Sequence, residues 1–226
     1  MNILLLETAT EVCSVAIAQS GNILAQQNAP KDYQHSEQLT LLIQQVSQES
    51  SIALSELDAV VLSGGPGSYT ALRVGSSAAK GICYAFDLPL IAVDTLESLA
   101  RASAVDDENV IYIPMIDARR MEVYATIFDA YFQVLEDRQA IIIDENSFAE
   151  YIKQGKTIHL SGNGAPKLKA TLTHPNFRYS PIVCDAVHLL PLAEIAYAQQ
   201  AFEDVAYYSP VYGKAPNITV SKKKLL

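Results

Sequence analysis

The residues of this chain best placed to hold a phosphate lie in LSGGPGSYTALRVG, residues 62–75. There Gly64, Gly65, Pro66, Gly67 and Ser68 sit between an apolar run and a segment of helical period. A Walker-type loop needs a Lys followed by Ser or Thr after its second glycine, and no Lys occurs between Gly64 and Thr70. A dinucleotide fingerprint beginning at Gly65 fails at its last position, where Thr70 replaces the glycine that lets helix and strand pack closely. The stretch therefore reads as a strand-to-helix turn in which Gly65 and Gly67 take positive φ, Pro66 stiffens the chain and Ser68 caps the helix. Other chemistry is sparse. There is no HExxH pair for a zinc peptidase and no GxSxG elbow for a serine hydrolase. His35, His159, His174 and His188 are scattered and read as surface or capping residues.

Composition narrows the class. The 226 residues are 50% hydrophobic and 18% charged, within the ordinary globular range, and no apolar run is long enough to cross a bilayer. A net charge of −9 argues against this chain gripping nucleic acid alone, since phosphate binding needs clustered Lys and Arg. The one basic run, Lys222 to Lys224, reads as a solvated tail. Cys13, Cys83 and Cys184 are odd in number and widely spaced, which suggests neither a disulfide framework nor a cysteine metal site. The start MNILLLETAT lacks the features of a secretion signal, so a cytoplasmic protein with no membrane contact is expected.

Hydrophobic periodicity supplies the elements. Apolar runs at 3–6, 12–18 and 23–27, with Gly21-Asn22 as a hairpin turn, predict three antiparallel strands. Leu39, Leu42, Ile43 and Val46 then fall at i, i+3, i+4 and i+7 of a helix over 36–49 capped by Ser36. Leu41 lies off that stripe and hints at a second contact. A strand at 58–63, a helix at 70–86, a strand at 89–93 and a helix from Thr95 follow, an alternation that implies parallel pairing. The acidic stretch 105–109 reads as a hinge. Strands at 110–116, 122–128 and 132–135, a helix at 147–153, a strand at 157–160 and a long helix at 186–202 then repeat the order of the first half. The expectation is an α/β protein of two lobes, 1–104 and 105–226, each a mixed sheet with helices. That is the arrangement of the actin-like, sugar-kinase and Hsp70 (ASKHA) fold.

In that arrangement a nucleotide lies between two turns that each offer an acid and glycines. Glu7, Thr8 and Thr10 occupy the first such turn and Asp117, Ala118, Arg119 and Arg120 the second, with no glycine in either. Bulky Arg119 and Arg120 stand where a phosphate cradle needs the smallest side chain, although an arginine can pair with an anion bidentately. A vestigial cleft is therefore expected, with Glu7 and Asp117 bonding nearby turn amides. On the helix at 70–86, Ala71, Gly75, Ala78, Ala79 and Ile82 leave a flat surface for close packing, either against the lobe's own sheet or against a partner.

Taken in order, MNILLLETATEVCSVAIAQ, HSEQL, GPGSYTALRVG…AK, IDARRMEVYATIF, GNGAPK and a terminal VYGK before KKKLL make the chain resemble the TsaB (YeaZ-like) family over nearly its whole length. The GPGSYTALRVG…AK block is the specific part. The resemblance implies a non-catalytic accessory subunit of the bacterial machinery that makes threonylcarbamoyladenosine in tRNA. It implies pairing with the paralogue TsaD through the helices at 36–49 and 70–86, with Ala71, Gly75, Ala78, Ala79, Ile82 and Leu41 at the interface. Arg73 and Lys80, seven apart on one face, would rim it. It further implies recruitment of the ATPase TsaE, contact with tRNA only through the complex, and a homodimer when the chain is alone. ATP would be used by the complex and the metal would sit on TsaD, whose paired histidines correspond to Thr95 and Leu99 here, so this chain would bind no cofactor. An ASKHA-fold ATPase or small-molecule kinase, and a stand-alone peptidase, remain the alternatives.

Overall fold

Strand β1 (Asn2–Glu7) is an unbroken apolar run because both of its faces are covered: Leu4 and Leu6 enter one core, Ile3 and Leu5 another. The computed structural model describes residues 1–32 and 34–213. β1 pairs antiparallel with β2 (Ser14–Gln19), and β2 with β3 (Asn22–Asn28). On its other side β1 is parallel to β4 (Ala59–Ser63), which is parallel to β5 (Leu90–Val93). The sheet order is β3-β2-β1-β4-β5.

The second sheet repeats this plan. β6 (Val110–Asp117), β7 (Glu122–Phe128) and β8 (Val134–Ile142) are antiparallel, while β9 (Thr157–Ser161) and β10 (Phe177–Tyr179) extend the sheet in parallel. Its order from β8 is β8-β7-β6-β9-β10, position for position that of the first sheet. Two mixed sheets of three antiparallel strands followed by parallel ones make the two-lobed α/β plan expected of the actin-like architecture.

How the helices cover these sheets differs from a division at residue 104. α1 (His35–Ser50) and α2 (Tyr69–Phe86) pack on one face of the first sheet, with Leu39, Leu42, Ile43 and Val46 all in that core. The opposite face is closed by Ala186, Leu189, Leu190 and Ala193, from a 3-10 turn (Ala186–Leu189) and α5 (Leu190–Ala198) late in the chain. Conversely, α3 (Thr95–Ala102) ends the first half of the sequence yet packs Leu96, Leu99 and Ala100 against Ile116, Tyr112 and Phe128 of the second sheet. α4 (Ala149–Lys153) lies on that sheet's other face, where Tyr151 and Ile152 meet the core. The two halves thus exchange their last helices, because each sheet has a second apolar face that its own half leaves bare.

Local departures have identifiable causes. The helix expected over 186–202 shortens to α5, since Gln200 is left-handed (φ 54°) and Glu203 then forms a bridge with Leu90. β8 runs further than its pattern suggests because it is an edge strand exposed on most of its length, and β10 is too short to show a period. Ser36 lies inside α1 and does not cap it; the N-cap is Gln34, with no side-chain cap bond. The 105–109 stretch is tied down by the Tyr112 hydroxyl, which accepts from Val105 N at 2.9 Å and donates to Val105 O at 3.1 Å.

Candidate functional site

Three amides of the glycine turn after β4 are occupied by the protein. Gly64 N donates to Val93 O (2.7 Å), Ser68 N to Ala9 O (2.7 Å) and Gly65 N to the Thr95 hydroxyl (3.2 Å), while Thr95 N returns a bond to Gly65 O (3.0 Å). Gly65 is left-handed (φ 98°), but Gly67 is not; it is small because a Cβ there would overlap the backbone of Ala9. Pro66 follows in a cis peptide, and Ser68 caps α2 by accepting from Ala71 N at 3.5 Å. This is a packing turn rather than an anion cradle.

Of the α2 residues expected at an interface, Ala71, Gly75 and Ala79 are buried and Ala78 and Ile82 are half-buried. Ala71, Gly75 and Ala79 are buried on the inner face, and a Cβ on Gly75 would overlap the Thr8 hydroxyl. They serve the close approach of α2 to the end of β1. Ala78 and Ile82 are half-buried against the same core. With Ile43, Leu54, Gly81 and Phe86 they line an apolar groove of about 580 Å³ between α1 and α2, open to solvent. No neighbouring atom lies within 4 Å of a Cβ built on Gly81, and Tyr84 (87% exposed) stands on the same helix. Leu41 (48% exposed) projects from α1 without lining the groove.

Arg73 and Lys80 do lie on one face of α2, but they grip the chain's own later segment. The Lys80 ammonium donates to Ala206 O (3.0 Å) and Tyr208 O (3.2 Å). The Arg73 guanidinium donates to the Tyr212 hydroxyl (3.1 Å) and lies 4.2 Å from the Tyr69 ring centroid, a cation–π contact. Val211 N adds a bond to Gly64 O (2.9 Å), so 203–212 forms a strap along α2. The basic run at 222–224 lies outside the described residues.

Between the lobes, Glu7 is almost fully buried, and burial pushes its carboxyl from the ordinary 4.5 to about 7, despite bonds from Ala9 N (2.6 Å) and Ser63. Thr8 is buried with its hydroxyl unpartnered, and the Thr10 hydroxyl accepts from Val12 N at 3.4 Å. In the second lobe Asp117 accepts from Arg119 N (2.8 Å) and is paired with Lys167. Arg119 (φ 73°) and Arg120 (φ 51°) are both left-handed and exposed, a turn that glycine would form with less strain. Asn163, in the GNGAPK stretch, joins the two sides. Its carbonyl accepts from Asp117 N (3.0 Å) and its amide donates to Glu11 (2.5 Å).

Thr95 and Leu99 are both engaged in the fold. Thr95 is fully buried and bonded to the glycine turn, and Leu99 is packed among Leu96, Ile116 and Cys184. Among the described residues no cluster of three His, Cys, Asp or Glu is arranged to hold a metal ion. His35 and His159 are buried rather than on the surface; His35 Nε2 donates to Val12 O at 2.9 Å. Burial pushes the Cys13 and Cys83 thiols up to about 11, which leaves them protonated and unreactive at neutral pH. Among the described residues no helix is long and apolar enough to cross a membrane.

A fold of two matched lobes, with a packed glycine turn and an apolar helix groove, now meets the comparison with known proteins. A sequence model of TsaD, tRNA N6-adenosine threonylcarbamoyltransferase, matches residues 22–221, and the chain belongs to that family. Within it, the chain is similar to TsaB. It is 27% identical to the tRNA threonylcarbamoyladenosine biosynthesis protein TsaB of Haemophilus influenzae, over 94% of this chain and 93% of that one. It is 34% identical to the Escherichia coli protein of the same name over 55% of this chain and 53% of the other. YeaZ of Pseudomonas aeruginosa superposes with a TM-score of 0.76 at 24% identity, covering 93% and 99% of the two chains.

Proposed function

We propose that this chain is the accessory, non-catalytic subunit of a tRNA threonylcarbamoyladenosine-forming complex. It pairs through its first lobe with a metal-bearing TsaD paralogue and helps to recruit the ATPase TsaE. The observation that carries this reading is the open apolar groove between α1 and α2, because monomeric proteins rarely leave a continuous apolar surface uncovered. Thr95 and Leu99, already engaged in packing and hydrogen bonding, support the non-catalytic part. ATP turnover and metal chemistry belong to the other subunits, and with a charge of −9 this chain meets tRNA only within the assembly. Without its paralogue it forms a homodimer on the same groove.

Reconstitution with TsaD, TsaE, the adenylate donor and tRNA tests the reading: modification is lost when this chain is omitted and is absent when it is alone. Gly81→Glu tests the surface, because the site has room for a side chain and the substitution leaves the lobe folded. An unpaired charge buried in the contact weakens pairing by about a hundredfold or more. Equal copurification of wild type and variant with TsaD refutes the placement.

A further inference from the structure

We propose that Asn163 is an internal latch that holds the two lobes closed, its side chain standing between the turn that follows β1 and the turn that joins β6 to β7. The inference is independent of the pairing function. Its first support is orientation. Asp117 N donates to the Asn163 carbonyl at 3.0 Å, so the amide group of the same side chain is left pointing across the cleft, where it donates to Glu11 at 2.5 Å. One side chain therefore touches both turns.

The second support is that both ends of the bridge are held. On the second lobe, Gly162 N donates to Ile182 O (2.9 Å) and Gly164 N to Met115 O (3.0 Å), which pins the backbone on either side of Asn163. Gly162 is left-handed (φ 85°), and a Cβ on it would overlap Met115 O, so only glycine fits at this position of the turn. On the first lobe, Ser68 N fixes Ala9 and His35 Nε2 fixes Val12, one on each side of Glu11. A short charge-assisted bond between two fixed loops resists separation in a way that a bond between mobile side chains does not.

The third support is that the closed state is not left to one bond. The strap runs from its hold on α2 to Gly213, which rests against the ring of Tyr124 on β7, so the chain is tied across the lobes a second time. Such a cleft does not cycle between open and closed with a nucleotide. It behaves as one rigid body.

Spin labels on Ser55→Cys and Ala170→Cys, exposed positions in the first and second lobes, report the separation by pulsed electron resonance, the three native cysteines being buried. The wild type is expected to give one narrow distance distribution, unchanged by Mg-ATP. Asn163→Asp keeps the bond from Asp117 N but sets two carboxylates face to face, and the distribution shifts longer and broadens. Asn163→Ala, which adds no charge, shifts it in the same direction. The double variant Asn163→Asp/Glu11→Gln exchanges donor and acceptor and restores the narrow distribution. If both single variants keep the wild-type distribution, or the double variant stays as broad as Asn163→Asp, the latch is refuted.

Discussion

Replacing Glu7 by Gln tests the electrostatic reading of the cleft most directly. In the folded protein the carboxyl is almost completely removed from water at the end of β1, with Asp185 and the Cys13 and Cys184 thiols as its titratable neighbours. Desolvation is the largest cause of the rise from 4.5 to about 7. Below pH 4.5 both folded and unfolded chains hold the proton, and the group contributes no pH dependence. Between 4.5 and about 7 the unfolded chain releases its proton while the folded one keeps it, so stability falls as pH rises. Above that window the loss is complete. At about 1.4 kcal/mol per pH unit the full loss is about 3 kcal/mol. Gln keeps the oxygen that accepts from Ala9 N and cannot ionise. Urea unfolding at pH 4.5, 6 and 8 is expected to show wild type and Glu7→Gln diverging with pH, the variant more stable at pH 8. Two curves that stay parallel across this range would mean that Glu7 ionises normally and that the desolvation argument is wrong.

Other substitutions probe the packing. Gly75→Ala forces a methyl group into the Thr8 hydroxyl and should lower stability by about 1–3 kcal/mol, read as a drop in melting temperature. Thr95→Val keeps the shape but strands the Gly65 amide, with an expected loss of about 1–3 kcal/mol in chemical denaturation. Leu99→Ala opens a cavity between α3 and the second sheet and should cost about 2–5 kcal/mol. Thr95→His/Leu99→His is expected to destabilise the chain without conferring metal binding; elemental analysis showing a stoichiometric metal would contradict the account of that helix.

The strand runs and the α1 stripe were legible because burial on a sheet or a helix face imposes a period that each residue obeys locally. The small residues of α2 were legible only by half. Their spacing marks a face built for close contact, but that Gly75 and Ala79 are buried while Ala78 and Ile82 also border an open groove depends on tertiary packing, which no local pattern carries. Arg73 and Lys80 illustrate the same limit, since their partners lie in a segment more than a hundred positions on. Asn163 finds Glu11 across 152 positions. β8 is longer than its sequence pattern predicts because an exposed edge strand has no face to conceal, and α5 is shorter because the apolar run continues past the left-handed residue that stops the helix.

The exchange of end helices has a consequence for synthesis. The sheet that leaves the ribosome first waits for residues 186–198 to cover its second face, and these emerge after every strand has been made. Until then Ile3, Leu5, Val61 and Ile91 remain a greasy, unshielded surface on a nascent polypeptide. A fragment ending near residue 104 would lack the residues that cover this face.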